Sequence, residues 1–294
     1  MLIINIDKPV GWTSTDVVRF SKKQLNEKKA GHLGTLDPMA SGVLPVFLGK
    51  STKLIHLFEN IGKTYEATFR LGIRTDTFDA TGITVEEKDP SHITLEQLKT
   101  VIKKYEGINA QLTPIYSAVK FQGVPAYRLA RAGKEVHRKQ RQIIIDELTL
   151  LDTGMFPEIR LRIQCSKGTY IRTLADDMGL DLGVGAHMTQ LRRIACGSVF
   201  TMENISSIDA LRDKQNLLRL DPLDLLSHLP TLSVNEDEIA CLSHGQAISA
   251  HEIQSDLMTE NQQVKVIDKN KRLVAIGCIT ISEGIKFNPF KVFI

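Results

Sequence analysis

The sequence predicts an α+β fold, in which strands and helices are mixed without a regular strand–helix–strand repeat. Two segments, 63–73 and 158–165, alternate apolar and polar residues as half-buried strands do. Two others, 94–107 and 169–179, space their apolar residues as amphipathic helices do. The 294 residues are 42% hydrophobic and 24% charged, which is typical of a globular chain with room for one large domain and a small one.

The first quarter of the chain contains one predicted helix and two predicted strands. Hydroxyl residues at 13–15 precede apolar residues at helical spacing, which predicts a short amphipathic helix that ends near Leu25. The apolar run 42–48 predicts a buried strand. In segment 63–73 the residues on the apolar face are Tyr65, Ala67, Phe69 and Leu71.

Helix 94–107 has clear boundary signals. Thr94 and Gln97 have the spacing of a capping box, and Gly107 ends the periodic pattern. The predicted apolar stripe of this helix consists of Leu95, Leu98, Ile102 and Tyr105. In segment 169–179 the residues predicted to face the core are Ile171, Leu174, Ala175 and Met178.

The pattern of predicted elements changes near residue 230, which predicts two domains, at 1–229 and 230–294. From about Thr231 onward the predicted segments are short, and 262–281 has the pattern of a hairpin that turns at 268–271. The C-terminal domain is therefore expected to be small and rich in strands.

Much of the positive charge lies in one interval, 114–142. A single acidic residue, Glu135, stands there against seven basic ones: Lys120, Arg128, Arg131, Lys134, Arg138, Lys139 and Arg141. Tyr116, Phe121 and Tyr127 are interleaved with them. A solvated loop and helix face is one interpretation of such a run, and an arm that grips a phosphate backbone is the other.

Several classes of protein are excluded or disfavoured. No run of about 18 apolar residues predicts a membrane span, and the first residues lack the features of a secretory signal, so a cytoplasmic location is expected. The four cysteines form no CxxC pair and the histidines no HExxH motif, so neither disulfides nor a metal site is expected. Chemistry without a cofactor, or no chemistry, remains.

The first candidate for chemistry is Asp37, in the stretch GHLGTLDPMASG at 31–42. Three glycines and Pro38 surround this one carboxylate. The pattern is typical of a simple turn, in which the aspartate bonds its own backbone and the proline sets φ. It is also typical of rigid backbone that holds a carboxylate at the mouth of a cleft.

Two further candidates are Arg172 and Tyr65. Arg172 falls in the first turn of a predicted helix, where the helix dipole disfavours a cation, so it is either a surface arginine or the partner of a carboxylate that it keeps ionised. Tyr65 lies on the apolar face of its strand, so it is either a core residue or a ring that stacks on a base while its hydroxyl takes part in proton transfer.

Five motifs, in one order, resemble the TruB-type tRNA pseudouridine synthases. They are GHLGTLDPMASGVLPVFLGKSTK, KTYEATFRLGIRTDTFDATG, PIYSAVKFQG, SKGTYIRTLADDMG and GAHMTQLRR. The resemblance covers about residues 3–200 and implies a mixed, largely antiparallel sheet flanked by helices. A weaker resemblance, through Gly245 and the late hairpin, implies a PUA-like RNA-binding domain at the C-terminus.

The resemblance also implies a reaction and its residues. Such enzymes isomerise uridine 55 in the T loop of tRNA, without a cofactor, a metal or an obligate protein partner. Asp37 matches the catalytic aspartate, Arg172 the arginine paired with it, and Tyr65 the tyrosine that stacks on the uracil and handles the C5 proton. The matching substrate-binding positions are His32, Leu191, Lys120, Tyr170, Arg138 and Arg141.

Two other classes of function remain open at this point. One is an RNA-binding or RNA-folding protein in which the candidate residues do no chemistry. The other is a guide-dependent synthase of the dyskerin type, against which the compact length and the arm at 114–142 argue. The interpretation that we adopt is a stand-alone enzyme whose partner is the T stem-loop of tRNA.

Overall fold

The computed structural model describes residues 1–115, 120–121, 124–125, 138–152, 156–249, 259–281 and 284–294. Within them the α+β prediction is confirmed, because helices pack on one large sheet and a smaller sheet follows near the C-terminus. No helix of these residues is long and apolar enough to cross a lipid bilayer.

Nine strands of the described chain form the main sheet. Seven lie side by side in the order β1 (Leu2–Lys8), β3 (Ser41–Leu48), β12 (Ala186–Cys196), β4 (Lys63–Leu71), β11 (Glu158–Cys165), β10 (Gln140–Asp152) and β7 (Gly107–Leu112). β2 (Ala30–His32) pairs with β3, and β13 (Phe200–Thr201) with β12. Only the β3–β12 pairing within this sheet is parallel, so the mixed, largely antiparallel sheet is confirmed.

Shorter elements complete this part of the chain. The strands outside the main sheet are β5 (Ile73–Thr75) with β6 (Thr84–Glu87), and β8 (Lys120–Phe121) with β9 (Val124–Pro125). Among the described residues before 230, the helices are α1 (Ser14–Gln24), α2 (Leu95–Tyr105), α3 (Ile171–Asp181), α4 (Ala210–Asp213) and α5 (Pro222–Leu225), with 3₁₀ turns at Gly49–Phe58 and Met202–Asn204.

The predicted helix signals are confirmed, with one exception. Thr94 and Gln97 form the capping box of α2, and Leu98 and Ile102 are buried against the sheet. Leu95, which we predicted in the apolar stripe, is 48% exposed instead. It is the first residue of the helix, and because helical side chains lean toward the N-terminus, its side chain extends past the end of the packed surface.

The C-terminal region forms a second sheet of five strands. Their spatial order is β14 (Thr231–Ser233), β16 (Gln263–Ile267), β17 (Leu273–Thr280), β18 (Lys286–Val292) and β15 (Ile248–Ser249), and helix α6 (Glu236–Ser243) packs beside them. The predicted hairpin at 268–271 is confirmed as the turn between β16 and β17. Leu273, Ile276 and Phe293 share a core with Phe47 and Phe58, so the second sheet packs on the first part of the chain.

The strand register brings three distant segments together at one end of β3. Gly42 opposes Lys8 of β1 on one side and Arg193 of β12 on the other. Arg193 in turn opposes Tyr65 of β4. Residues 33–40, which connect β2 to β3 and contain Asp37, therefore lie next to the parallel junction of the sheet.

Gly42 makes this junction possible. Its φ is +101°, and a Cβ atom at this position would lie 2.1 Å from the carbonyl oxygen of Arg193. Glycine is required there both because L-residues avoid this backbone region and because the neighbouring strand occupies the space of a side chain.

Replacing Gly42 by alanine should therefore lower the free energy of unfolding by about 2 kcal/mol or more, because backbone strain and a clash add. Urea denaturation measures this. Gly183→Ala is the matched control, since Gly183 also has a positive φ (+78°) but has no atom within 4 Å of the added carbon. Equal losses of unfolding free energy in the two variants would show that the clash with β12 does not contribute to the effect of Gly42→Ala.

Candidate active site

Asp37 is held by a loop with little freedom, residues 33–40, here termed the aspartate loop. Ser14, at the start of α1, accepts a hydrogen bond from the Leu36 amide (2.8 Å) and donates one to the Leu36 carbonyl (3.1 Å) through the same hydroxyl oxygen. Gly34 has a φ of +72°. The Asp37 side chain is 38% exposed, so solvent or a ligand can reach its carboxylate. The backbone that carries it is held in place by the hydrogen bonds to Ser14.

A buried lysine lies beneath this loop. Lys8 is fully buried, and its ammonium donates to the carbonyl oxygens of Pro9 (2.9 Å), Trp12 (2.6 Å) and Pro38 (3.3 Å). Burial lowers the pKa of Lys8 to about 8, and the negative charge of Asp37 partly opposes that shift. The lysine thus ties the residue after Asp37 to the end of β1.

Arg172 meets Asp37, as the resemblance implies. The arginine is buried at the second position of α3, and its Nε lies 3.0 Å from Asp37 Oδ2. Its Nη1 lies 3.4 Å from Asp79 Oδ2 and donates to the Thr77 carbonyl oxygen at 3.2 Å. Charge-assisted contacts on two sides of the planar guanidinium fix both its position and its plane.

Asp79 is the second carboxylate at this guanidinium, and it is buried. Its Oδ1 accepts hydrogen bonds from the Thr77 hydroxyl (2.8 Å), the Thr81 hydroxyl (2.6 Å) and the Thr81 amide (2.9 Å). The preceding Phe78 has a φ of +64°, which is unusual for a residue other than glycine. Asp79 is therefore rigid on its own loop and can act as an anchor for Arg172.

Tyr65 and Leu191 form the apolar side of the site. Tyr65 is 9% and Leu191 8% exposed, and both belong to the same core cluster as Leu36, the residue before Asp37. Burial raises the pKa of the Tyr65 hydroxyl far above its ordinary value, with the Arg193 guanidinium opposing the rise. The hydroxyl is therefore protonated at neutral pH.

His32 ends β2, just before the aspartate loop. Burial lowers the pKa of the imidazole, the Arg193 charge lowers it further, and a hydrogen bond involving the Gly34 backbone opposes both. Its Nδ1 is buried without a hydrogen-bond partner among the described residues. The ring is therefore neutral at pH 7.

Parts of the basic interval 114–142 lie outside the described residues, including the side chain of Lys120. Arg138 is described: its Nε donates to the Thr113 carbonyl oxygen at 2.9 Å, and its guanidinium carbon lies 5.7 Å from the centre of the Phe78 ring. The structure thus brings this end of the basic interval to the loop that carries Asp79.

Tyr170 and Arg141 stand at the entrance to helix α3. The Tyr170 amide donates to Gln111 Oε1 at 2.8 Å, and the Tyr170 carbonyl accepts from Gln111 Nε2 at 3.0 Å. Arg141 is exposed on β10, with its Nη1 3.8 Å from the point where a Gly168 Cβ would lie. Both residues are near the turn that precedes Arg172. A role for either of them in RNA binding stays a prediction.

The part of the chain that is described contains no obvious set of metal ligands. No three side chains among its histidines, cysteines, aspartates and glutamates are grouped as a metal ion would require. The groups that converge on Asp37 are cationic or apolar instead.

Comparison with protein-family models agrees with this geometry. The model of the TruB family pseudouridylate synthase N-terminal domain matches residues 22–171, and that of the tRNA pseudouridylate synthase B C-terminal domain matches residues 172–228. This chain belongs to the TruB family of pseudouridylate synthases. Members of the TruB family are isomerases, so the chain is an enzyme of that class.

Similar proteins cover most of the chain. The tRNA pseudouridine synthase B of Burkholderia mallei (strain NCTC 10247) is 40% identical over 289 residues, which are 96% of this chain and 94% of that protein. The tRNA pseudouridine synthase B of Geobacter sulfurreducens is 44% identical over 234 residues, or 78% of this chain and 76% of that protein.

Solved structures of similar fold come from larger assemblies. A chain of a Cbf5–Nop10–Gar1 complex matches with a TM-score of 0.71 at 28% identity, over 100% of this chain and 85% of that one. A chain of an H/ACA RNP bound to a substrate RNA containing 2′-deoxyuridine matches with a TM-score of 0.70 at 26% identity and the same coverage. These matches confirm the pseudouridine-synthase fold.

Sequence reasoning missed three residues of this TruB-family site: Asp79, Lys8 and Arg193. Asp79 had a local signal, because Thr77 and Thr81 stand two positions to either side and such hydroxyls typically bond an aspartate in a turn. Lys8 and Arg193 had none, since nothing in their neighbours along the chain indicates that they are buried.

Asp79→Asn should slow pseudouridine formation about tenfold or more, because Arg172 loses one of the two charges that orient it. A single-turnover assay with RNA in limiting amount measures the rate. Asp76→Asn is the matched control: Asp76 lies on the same loop, and its carboxylate accepts from the Ile83 amide. Indistinguishable rates for the two variants would contradict the anchoring role.

Proposed function

We propose that this chain isomerises uridine to pseudouridine at position 55 in the T loop of tRNA. The observation that carries the proposal is the half-exposed Asp37 carboxylate, 3.0 Å from a buried guanidinium and beside an apolar wall. The relatives named tRNA pseudouridine synthase B supply the substrate class. Position 55 comes from the resemblance of the motifs.

The reaction rearranges one nucleoside and needs no second substrate. The N1–C1′ bond breaks, the uracil turns, and C5 joins C1′. The proton on C5 leaves and N1 gains a proton, so the composition of the nucleotide is unchanged. Cleavage places positive charge on C1′, which one carboxylate can stabilise or trap. Asp37 acts at the sugar, either by attacking C1′ or by removing the C2′ proton to give a glycal.

A lone carboxylate is appropriate because the leaving base must stay in the site and return. A glycoside hydrolase needs a second carboxyl group and a path for water, whereas here water would divert the intermediate. Arg172 orients Asp37, and Asp79 orients Arg172. Tyr65 and Leu191 share an apolar cluster with Leu36, and we assign them to the pocket for the base, where Tyr65 stacks on the uracil and handles the C5 proton.

The target base must leave the stacked loop to reach Asp37. Extrusion costs a few kcal/mol, which contacts with the RNA have to offset. We assign these contacts to His32, Tyr170, Lys120, Arg138 and Arg141. We also propose that residues 1–229 form the catalytic domain, with an insertion at 114–142 that folds over the T loop, and that residues 230–294 form a PUA-like RNA-binding domain.

The enzyme is proposed to act in the cytoplasm without a guide RNA or protein partner. The similar chain in the Cbf5–Nop10–Gar1 complex belongs to an assembly, so this point has a direct test. The purified chain should modify a bare tRNA transcript.

Asp37→Asn should abolish pseudouridine formation in a T stem-loop, with a rate loss of about 10³ or more, because an amide neither traps C1′ nor accepts a proton. RNA affinity and thermal stability should stay near those of the parent, since the amide keeps the shape of the side chain. Product mapping at position 55 measures the outcome. Normal product formation would refute the role of Asp37.

Replacing Arg138, Lys139 and Arg141 together by alanine should weaken RNA binding and reduce the slope of log Kd against log salt by about two to three. Lys99→Ala with Lys103→Ala, on helix α2, is the control for loss of positive charge elsewhere. A slope that stays the same in the triple variant would mean that this end of the basic interval does not contact phosphates.

A further inference from the structure

Arg193 is one of two cations of the main sheet that are almost completely buried, with 1% of its surface exposed; the other is Lys8. Its guanidinium donates to backbone carbonyls on both sides of Asp37, in the aspartate loop and at the start of β3. Nε donates to Val43 (2.7 Å), and one terminal nitrogen donates to Gly34 (3.0 Å) and Leu33 (3.4 Å). The guanidinium therefore holds together the backbone on both sides of Asp37.

No carboxylate of the described residues lies within ion-pairing distance of this guanidinium. Buried charges are normally paired, because desolvation of an unpaired charge is costly. Backbone carbonyls are the main groups that stabilise the charge of Arg193, an arrangement that orders the loop at a cost in stability. Its neighbour Arg192, by contrast, makes an ordinary two-pronged ion pair with Asp7 (2.8 and 3.1 Å).

Arg193 also stands directly opposite Tyr65. The two residues are register partners in β12 and β4, so their side chains leave the same face of the sheet. On the other side, Gly34 packs on Arg193 so closely that a Cβ at Gly34 would lie 3.2 Å from Nη1. One side chain thus contacts the aspartate loop and faces the tyrosine at the same time.

We propose that Arg193 is a positioning residue that sets Tyr65 and the aspartate loop relative to one another for the reaction. The inference rests on the proposed function, which assigns the uracil and its C5 proton to Tyr65. The uracil has to turn while its sugar stays at Asp37. A rigid link between the aspartate loop and Tyr65 keeps the base stacked on the tyrosine ring during that rotation.

The charge of Arg193 has a second effect on Tyr65. Burial raises the pKa of the phenol, and the guanidinium opposes this rise, so it favours the phenolate whenever the hydroxyl proton is displaced. The other titratable groups that influence the phenol are the thiols of Cys165 and Cys196, which favour the protonated form. Arg193 thus partly offsets the effect of burial on the pKa of the Tyr65 hydroxyl.

Arg193→Lys is the first test, with Arg192→Lys as the matched control on the adjacent residue. Lysine keeps the charge but cannot reach three carbonyls with one planar fork. The single-turnover rate should fall about tenfold or more in Arg193→Lys, with a change in RNA Kd of less than about threefold. Arg192→Lys should leave both near the parent values. A parent-like rate in Arg193→Lys overturns the inference.

A double-mutant cycle with Tyr65→Phe separates positioning from simple loss of structure. If Arg193 acts through Tyr65, Arg193→Lys should slow the reaction much less in the Tyr65→Phe background than in the parent. Equal effects in both backgrounds overturn the inference while leaving the proposed function intact. A parent-like rate for Tyr65→Phe alone refutes the proposed role of Tyr65, and with it the inference.

If Arg193→Lys does not fold, Gly34→Ala tests the same link from the loop side. The added methyl group would meet the Arg193 guanidinium, so it shifts the contact while Arg193 keeps its charge. The rate should again fall with little change in RNA Kd. An unchanged rate in a folded Gly34→Ala variant overturns the inference.

Discussion

The Arg172 guanidinium joins three parts of the chain that are far apart in sequence, and the rest of the site depends on this junction. It sits at the start of α3, contacts Asp37 on the aspartate loop and reaches Asp79 on a separate loop. A buried cation between two carboxylates is strongly oriented, because movement toward either one weakens the other contact. Asp79 is buried, whereas the Asp37 side chain is 38% exposed, so Asp37 is the exposed end of the network.

Buried cations beneath the aspartate loop give the site its rigidity. Lys8 and Arg193 donate to backbone carbonyls, so the groups that solvate these two charges are the same groups that hold the loop in place. Apolar residues at the positions of Lys8 and Arg193 would avoid the free-energy cost of removing a charge from water. Proteins often depart from the most stable packing at functional sites, where side chains must hold a defined geometry.

Local patterns were sufficient to predict most of the fold and part of the site. Period-two alternation located β4 and β11, capping spacing located α2, and the motif around Asp37 made this carboxylate a candidate, with a simple turn as the alternative. These features depend on neighbouring residues, which a single sequence displays directly. Helix and strand position made Arg172 and Tyr65 candidates, and the resemblance of the ordered motifs suggested their roles. It could not add Asp79, Lys8 or Arg193, since their importance lies in contacts with residues many positions away.

The sequence by itself therefore determined the elements, the family and the identity of the acidic side chain. Tertiary structure decided which groups surround it, because the parallel β3–β12 pairing places Arg193 beside Gly42 and the antiparallel β12–β4 pairing places it opposite Tyr65. It also decided that two carboxylates share Arg172. Register and long-range pairing follow from the packing of the whole sheet, in which a shift of one residue would turn every side chain to the other face. No local window of the sequence contains that information.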